Sequence, residues 1–188
     1  MKKIILASGS PRRKQLLGWA EVPFEIVVRE TSETYPAGLN VEEVAIYIAR
    51  QKALAVQPIV SKDSIILAAD TIVVLNERII GKPKDRQDAI NILSDLSGHQ
   101  HRVITGVVIV QDNKEVSFSD STDVDFHDLS PEEIAFYVDK YEPYDKAGAY
   151  AIQEWIGVVG IKSVKGDFYN VMGLPVSRVV RELKNIKE

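Results

Sequence analysis

Residues 64–75 read Ser-Ile-Ile-Leu-Ala-Ala-Asp-Thr-Ile-Val-Val-Leu, an almost unbroken apolar run bounded by Lys62-Asp63 and Asn76-Glu77. A strand without polar alternation has no face meant for water, so this one belongs inside a sheet, with the short segment 78–80 pairing back on it. Asp70 and Thr71 interrupt the run. A carboxylate there costs on the order of several kcal/mol unless a cation or hydrogen-bond donors compensate it. A structural salt bridge to Lys52 or Lys82 is one such compensation. Metal binding or general-base work is the other, and carboxylates placed this way are enriched at active sites.

The remainder alternates strand and helix. Residues 3–7 form a first strand; Ser10 suits a helix N-cap, with Pro11 at the first helical position and Leu16 and Leu17 following. A strand at 24–28 leads into a polar loop, 29–40, that carries Glu30 and Glu33. Asn40 opens a helix whose apolar stripe of Ala45, Ile48, Ala49 and Val56 also includes Lys52. Asp85 caps a helix facing Ala89, Ile92, Leu93 and Leu96 inward and ending at Gly98. A hairpin, 102–111 and 115–126, then turns at Asp112-Asn113. Ser130-Pro131-Glu132-Glu133 is a capping box for a helix to about Tyr141. A Gly-bearing segment, 144–153, a strand at 158–164, a turn at Lys165-Gly166-Asp167 and a last helix, 175–184, complete the order. There is no repeat or low-complexity tract.

With 188 residues, 45% of them hydrophobic, the chain can bury the core of one domain, or of one domain with two lobes. A net charge of -4 and 7% aromatic residues argue against a nucleic-acid surface. The absence of Cys rules out a disulfide, a thiolate nucleophile and Cys-ligated zinc, and fits a cytoplasmic location. The apolar run 4–7 is too short for a signal-peptide core, and charges interrupt every candidate membrane span.

Several residues suit phosphate chemistry. At Ser8-Gly9-Ser10-Pro11-Arg12-Arg13 a helix start offers unpaired N–H groups and partial positive charge, and two arginines add bidentate donors; a capped helix with its arginines in water is the plainer alternative. Gly9 permits close backbone approach to a ligand. Lys52 and Lys82 are flexible point charges for phosphate. Glu30 and Glu33 could give oxygen ligands to Mg²⁺. His99, His101 and His127 lack metal-binding spacing and receive no role.

These pieces, Ser8 to Arg13, Lys52-Ala53, Ala69-Asp70-Thr71, Gly81-Lys82-Pro83, Ser97-Gly98 with Thr105-Gly106, Asp145-Lys146-Ala147-Gly148-Ala149-Tyr150-Ala151-Ile152-Gln153 and Gly173-Leu174-Pro175, occur in the order of the Maf family. The resemblance spans nearly the whole chain. It implies a single Maf-type domain, 1–188, with an elongated α/β fold like the inosine triphosphatase group: a mixed β-sheet split into two lobes, flanking helices, and the active-site cleft between the lobes. It also implies hydrolysis of a nucleoside triphosphate to monophosphate and pyrophosphate with a divalent cation, Mg²⁺ or Mn²⁺, in a homodimer. Asp70 matches the catalytic acid. Ser8, Ser10, Arg12, Lys52 and Lys82 match the triphosphate surroundings, and Glu33, beside Asp70, the metal or water position.

Arg13, Thr71 and Gln153 match the triplet of the dTTP and UTP pyrophosphatase branch, and an amide can both donate to and accept from the O4 and N3–H edge of thymine or uracil. Two positions depart from the family pattern: Asp167, where a small hydroxyl residue is common, and Ser32, where many members carry an acid. Phosphoanhydride hydrolysis needs neutralised phosphate charge and an in-line water more than a covalent nucleophile, which agrees with this residue set. The other readings are a pyrophosphatase for 7-methyl-GTP and a non-catalytic nucleotide-binding regulator of septum formation.

Overall fold

The apolar run becomes β3 (Ile65–Leu75), in which every residue but Thr71 is buried. The computed structural model describes residues 3–186, so the ends of the expected 1–188 domain lie outside the described residues. Seven strands form one mixed sheet, hydrogen-bonded in the order β2 (Glu25–Ile26), β1 (Ile4–Leu6), β3, β5 (Gln100–Gln111), β6 (Lys114–Phe126) and β7 (Ile161–Lys165), with β4 (Arg78–Ile80) on β3. β1 runs parallel to both β2 and β3, while β3–β4 and β6–β7 are antiparallel. Helices flank these strands, as the alternating pattern predicts, and none of those described is long and apolar enough to cross a membrane.

The chain divides into two compact units. The first holds residues through Thr71, Thr105–Asp120 and the segment from Gly173 onward. Its helices are α1 (Pro11–Trp19), α2 (Val41–Val56) and α7 (Val176–Asn185). α2 starts at a capping box in which Asn40 and Glu43 each bond the other's backbone N–H. Its buried stripe joins Ala49, Ala53 and Val56 to Ile5, Ala7, Ile66, Ala68, Val108 and Val110 in one core cluster. Each Ile or Val withdrawn from water there contributes on the order of 1.5–3 kcal/mol. Gly106 sets how closely α2 approaches the sheet, because a Cβ at that position would stand 2.3 Å from the backbone of Ala45 and Ile46.

The second unit comprises Ile72–Ile104 and Ser121–Met172. α3 (Arg86–Leu96), capped by Asp85, packs against α4 (Pro131–Tyr141), capped by the Ser130–Glu133 box. α5 (Trp155–Gly160) and α6 (Phe168–Met172) complete it.

One expectation is corrected here. The predicted strand 158–164 begins only at Ile161, and Val158 to Gly160 are helical. The β-branched pair Val158-Val159 suggested a strand, but the Gly157 and Val158 N–H groups both donate to Glu154 O, at 3.0 and 3.3 Å. Burial of Ile156 pulls the turn inward and leaves Val158 80% exposed. Tertiary packing overrides local propensity over so short a stretch.

Candidate active site

The first unit gathers most of the predicted residues. Ser10 caps α1, its hydroxyl accepting from the Arg13 N–H, and Pro11 follows at the start of the helix. Ser8, almost wholly buried, accepts from the Ser10 N–H at 3.3 Å. A Cβ at Gly9 would meet no protein atom within 4 Å, so packing inside the protein places no demand for glycine there. Arg12 lies half-buried on the first turn of α1.

Arg13 behaves differently from its neighbour. Its guanidinium is buried, with Nε donating to Gly173 O at 2.8 Å, Nη1 to Ser8 Oγ at 3.0 Å and Nη2 to Thr71 Oγ1 at 3.0 Å. Thr71 Oγ1 in turn lies 2.9 Å from Thr105 Oγ1. Burial draws the guanidinium below its ordinary pKa, opposed by the Asp70 carboxylate. One side chain, Arg13, joins Ser8, Thr71 and Gly173, the last 160 positions away, and Thr71 extends the network to Thr105. Thr105 carried no assignment before the fold was known; its place in Thr105-Gly106 was the only signal.

Asp70 projects from the middle of β3 with 8% of its surface exposed. Lys52, brought from α2 by the close approach at Gly106, places Nζ 2.5 Å from Asp70 Oδ1 and 3.3 Å from Glu33 Oε1. Lys52 is thus a cation that compensates Asp70, one of those expected. Glu33 sits in the polar loop and is half-exposed, whereas Glu30 is exposed.

Lys82 and Gln153 belong to the second unit, and both side chains are exposed. Their motifs meet: the Gly148 N–H donates to Gly81 O at 3.1 Å. Gly148 has φ 70° and packs so tightly that a Cβ would come within 2.8 Å of Val73, which explains the glycine. Gln153 occupies the turn between Ala151 and Glu154. His101, assigned no role from sequence, is buried with Nε2 2.7 Å from Tyr150 Oη. Burial lowers its pKa to about 4, against a rise from the Asp125 charge.

The carboxylates of Asp70 and Glu33 converge on one ammonium, so two hard oxygen donors already surround a cation-sized position. That suits a divalent ion of the Mg²⁺ type, which takes one or two carboxylates and completes its shell with phosphate oxygens and water. Among the described residues no group of three or more His, Cys, Asp and Glu is placed to hold a metal.

Fold and site together define an α/β protein with one buried, lysine-paired acid in the middle of a central strand. The chain belongs to the Maf family: the family model, described as Maf-like protein, matches residues 3–186. A protein of Parabacteroides distasonis named dTTP/UTP pyrophosphatase is 48% identical over 184 residues, covering 97% of this chain and 95% of that one. Its namesake from Cytophaga hutchinsonii is 50% identical over 183 residues, 97% and 84% of the two chains. Among solved structures, the Staphylococcus aureus Ham1 protein is similar at TM-score 0.49 and 15% identity, covering 100% of both chains.

Proposed function

We propose that this protein is a nucleoside triphosphate pyrophosphatase that hydrolyses dTTP and UTP to the monophosphate and pyrophosphate, clearing such nucleotides, and modified pyrimidine triphosphates, from the pool. The observation that carries this reading is the Asp70 carboxylate, buried in mid-strand and held at Oδ1 by Lys52. Relatives named for the same substrates, 48–50% identical over nearly the whole chain, support it.

In this reading a water attacks the α-phosphorus in line, the bond to the α–β bridging oxygen breaks, and pyrophosphate leaves. Asp70, paired with Lys52 in the structure, orients the water and takes its proton. Ser8, Ser10 and the N–H groups at the start of α1, with Arg12, Lys52 and Lys82, hold phosphate oxygens. A divalent cation, Mg²⁺ or Mn²⁺, would be held by Asp70 and Glu33 in place of the Lys52 ammonium they now share and, when bound, would neutralise charge on the phosphates. Arg13 spends N–H groups on Ser8, Thr71 and Gly173, so it shapes the pocket by fixing Ser8 and Thr71. Gln153 meets the base edge. We place the protein in the cytoplasm as a homodimer, with neither nucleic acid nor membrane as partner.

The test is pyrophosphate release from dTTP, UTP, CTP, GTP and 7-methyl-GTP with Mg²⁺ or Mn²⁺, in the native protein and Asp70→Asn. Release far faster from dTTP and UTP than from the other nucleotides, and lost in the variant, is expected. Activity on 7-methyl-GTP alone overturns the base assignment, and binding without any turnover favours the regulator of septum formation.

A further inference from the structure

The turn that carries Gln153 is held in part by Tyr137 and Glu154, which lie outside the motifs quoted above. Its backbone closes on itself, the Glu154 N–H donating to Ala151 O at 3.1 Å, which leaves Ile152 and Gln153 at the corners. Ala151 and Ile152 are buried while Gln153 is exposed, so the turn presents one side chain outward from a fixed base. Tyr137, on the inner face of α4 and wholly buried, reaches this base with its hydroxyl. The hydroxyl accepts from the Ala151 N–H at 3.2 Å and donates to Glu154 Oε2. One oxygen therefore ties together the two ends of the turn on either side of Gln153.

Two further features hold the same segment. Glu154 Oε1 lies 3.6 Å from the ammonium of Lys146, whose side chain is only 9% exposed and also pairs with Asp145 at 2.8 Å. On the far side the turn presses on α5, where a Cβ at Gly157 would stand 1.7 Å from Ile152 O. The Tyr137 ring stacks on Tyr141 at 5.0 Å between centroids, which fixes the direction of its hydroxyl.

The geometry points to Tyr137 as the positioning residue of base recognition: it sets the turn whose Gln153 amide discriminates uracil or thymine from cytosine. This rests on the reading of Gln153 as the group that meets the base. The turn sets where the Gln153 side chain leaves the backbone, and with it which edge of a bound base the amide can reach. Tyr137 touches no reacting atom in this account, so its loss acts on the choice of base far more than on bond cleavage.

The experiment measures kcat and KM for UTP and CTP in the native protein, Tyr137→Phe, Gln153→Ala and the double variant. Tyr137→Phe is expected to lower the UTP-to-CTP ratio of kcat/KM about tenfold, mainly through KM, and the double variant to fall no further than Gln153→Ala alone. A general loss of structure would lower both nucleotides alike. If Gln153→Ala loses the ratio but Tyr137→Phe keeps it, the positioning role is overturned and the base assignment stands. If Gln153→Ala keeps the ratio, the base assignment fails and the positioning role with it. Should Tyr137→Phe not fold, Glu154→Ala and Glu154→Gln carry the test. Alanine must lower the ratio and glutamine, which keeps an acceptor for the hydroxyl, must restore it; an unchanged ratio in Glu154→Ala overturns the proposal.

Discussion

Arg13 Nη2 donates to Thr71 Oγ1 at 3.0 Å, so two residues 58 positions apart, on α1 and β3, share one hydrogen bond in the first unit. The same guanidinium also binds Ser8 and Gly173. Lysine cannot reproduce a planar three-way donor, so Arg13→Lys should lower stability by about 2 kcal/mol and weaken dTTP and UTP turnover together. Urea unfolding beside steady-state kinetics checks this; a variant as stable and as active as the native protein would contradict it.

Lys52 and Asp70 form a pair in which each partner offsets the other's burial. Lys52→Met should destabilise the fold by about 1–3 kcal/mol, because Asp70 loses its cation, and adding Asp70→Asn should recover much of that loss. Asp70→Asn alone should keep the fold and cut turnover at least about 100-fold. Thermal unfolding and pyrophosphate release on all three variants separate the two effects.

Gly9 meets no protein atom that a methyl group would strike. Gly9→Ala should therefore leave stability within about 0.5 kcal/mol while raising KM severalfold, because the methyl group would intrude only on a bound phosphate. Unchanged KM in a folded Gly9→Ala protein would remove the ligand-based reason for this glycine.

His101 makes stability depend on pH. Its folded pKa of about 4 lies below the ordinary 6.5, so the unfolded chain takes up a proton that the folded protein refuses. The stabilisation is fully present above about pH 6.5 and is lost as pH falls toward 4, a total of about 3 kcal/mol. His101→Gln, which can still bond Tyr150, should flatten the curve. Urea unfolding at pH 7 and 5 should show the native protein losing about 2 kcal/mol more than the variant; equal losses would show that His101 does not drive the dependence.

Much of this protein is legible in its sequence because the signals concerned are local. The unalternated run around Asp70 predicts a central strand, and the Asn40 and Ser130 caps predict where α2 and α4 begin, since both depend on neighbours a few residues away. The same locality misleads at 158–160, where β-branched residues suggest a strand but the burial of Ile156 imposes a helical turn. Sequence also marks Asp70 as a carboxylate in need of a partner, while leaving Lys52 and Lys82 equally eligible. Only the tertiary structure shows that Lys52 pairs with Asp70, because Gly106 lets α2 sit against the sheet. Likewise Tyr137 looks like one more apolar position on the inner face of α4, since nothing in helical spacing records where a hydroxyl points. Its link to Ala151 and Glu154 exists only once α4 and the turn pack together, because hydrogen bonds between distant segments depend on distances that packing alone fixes.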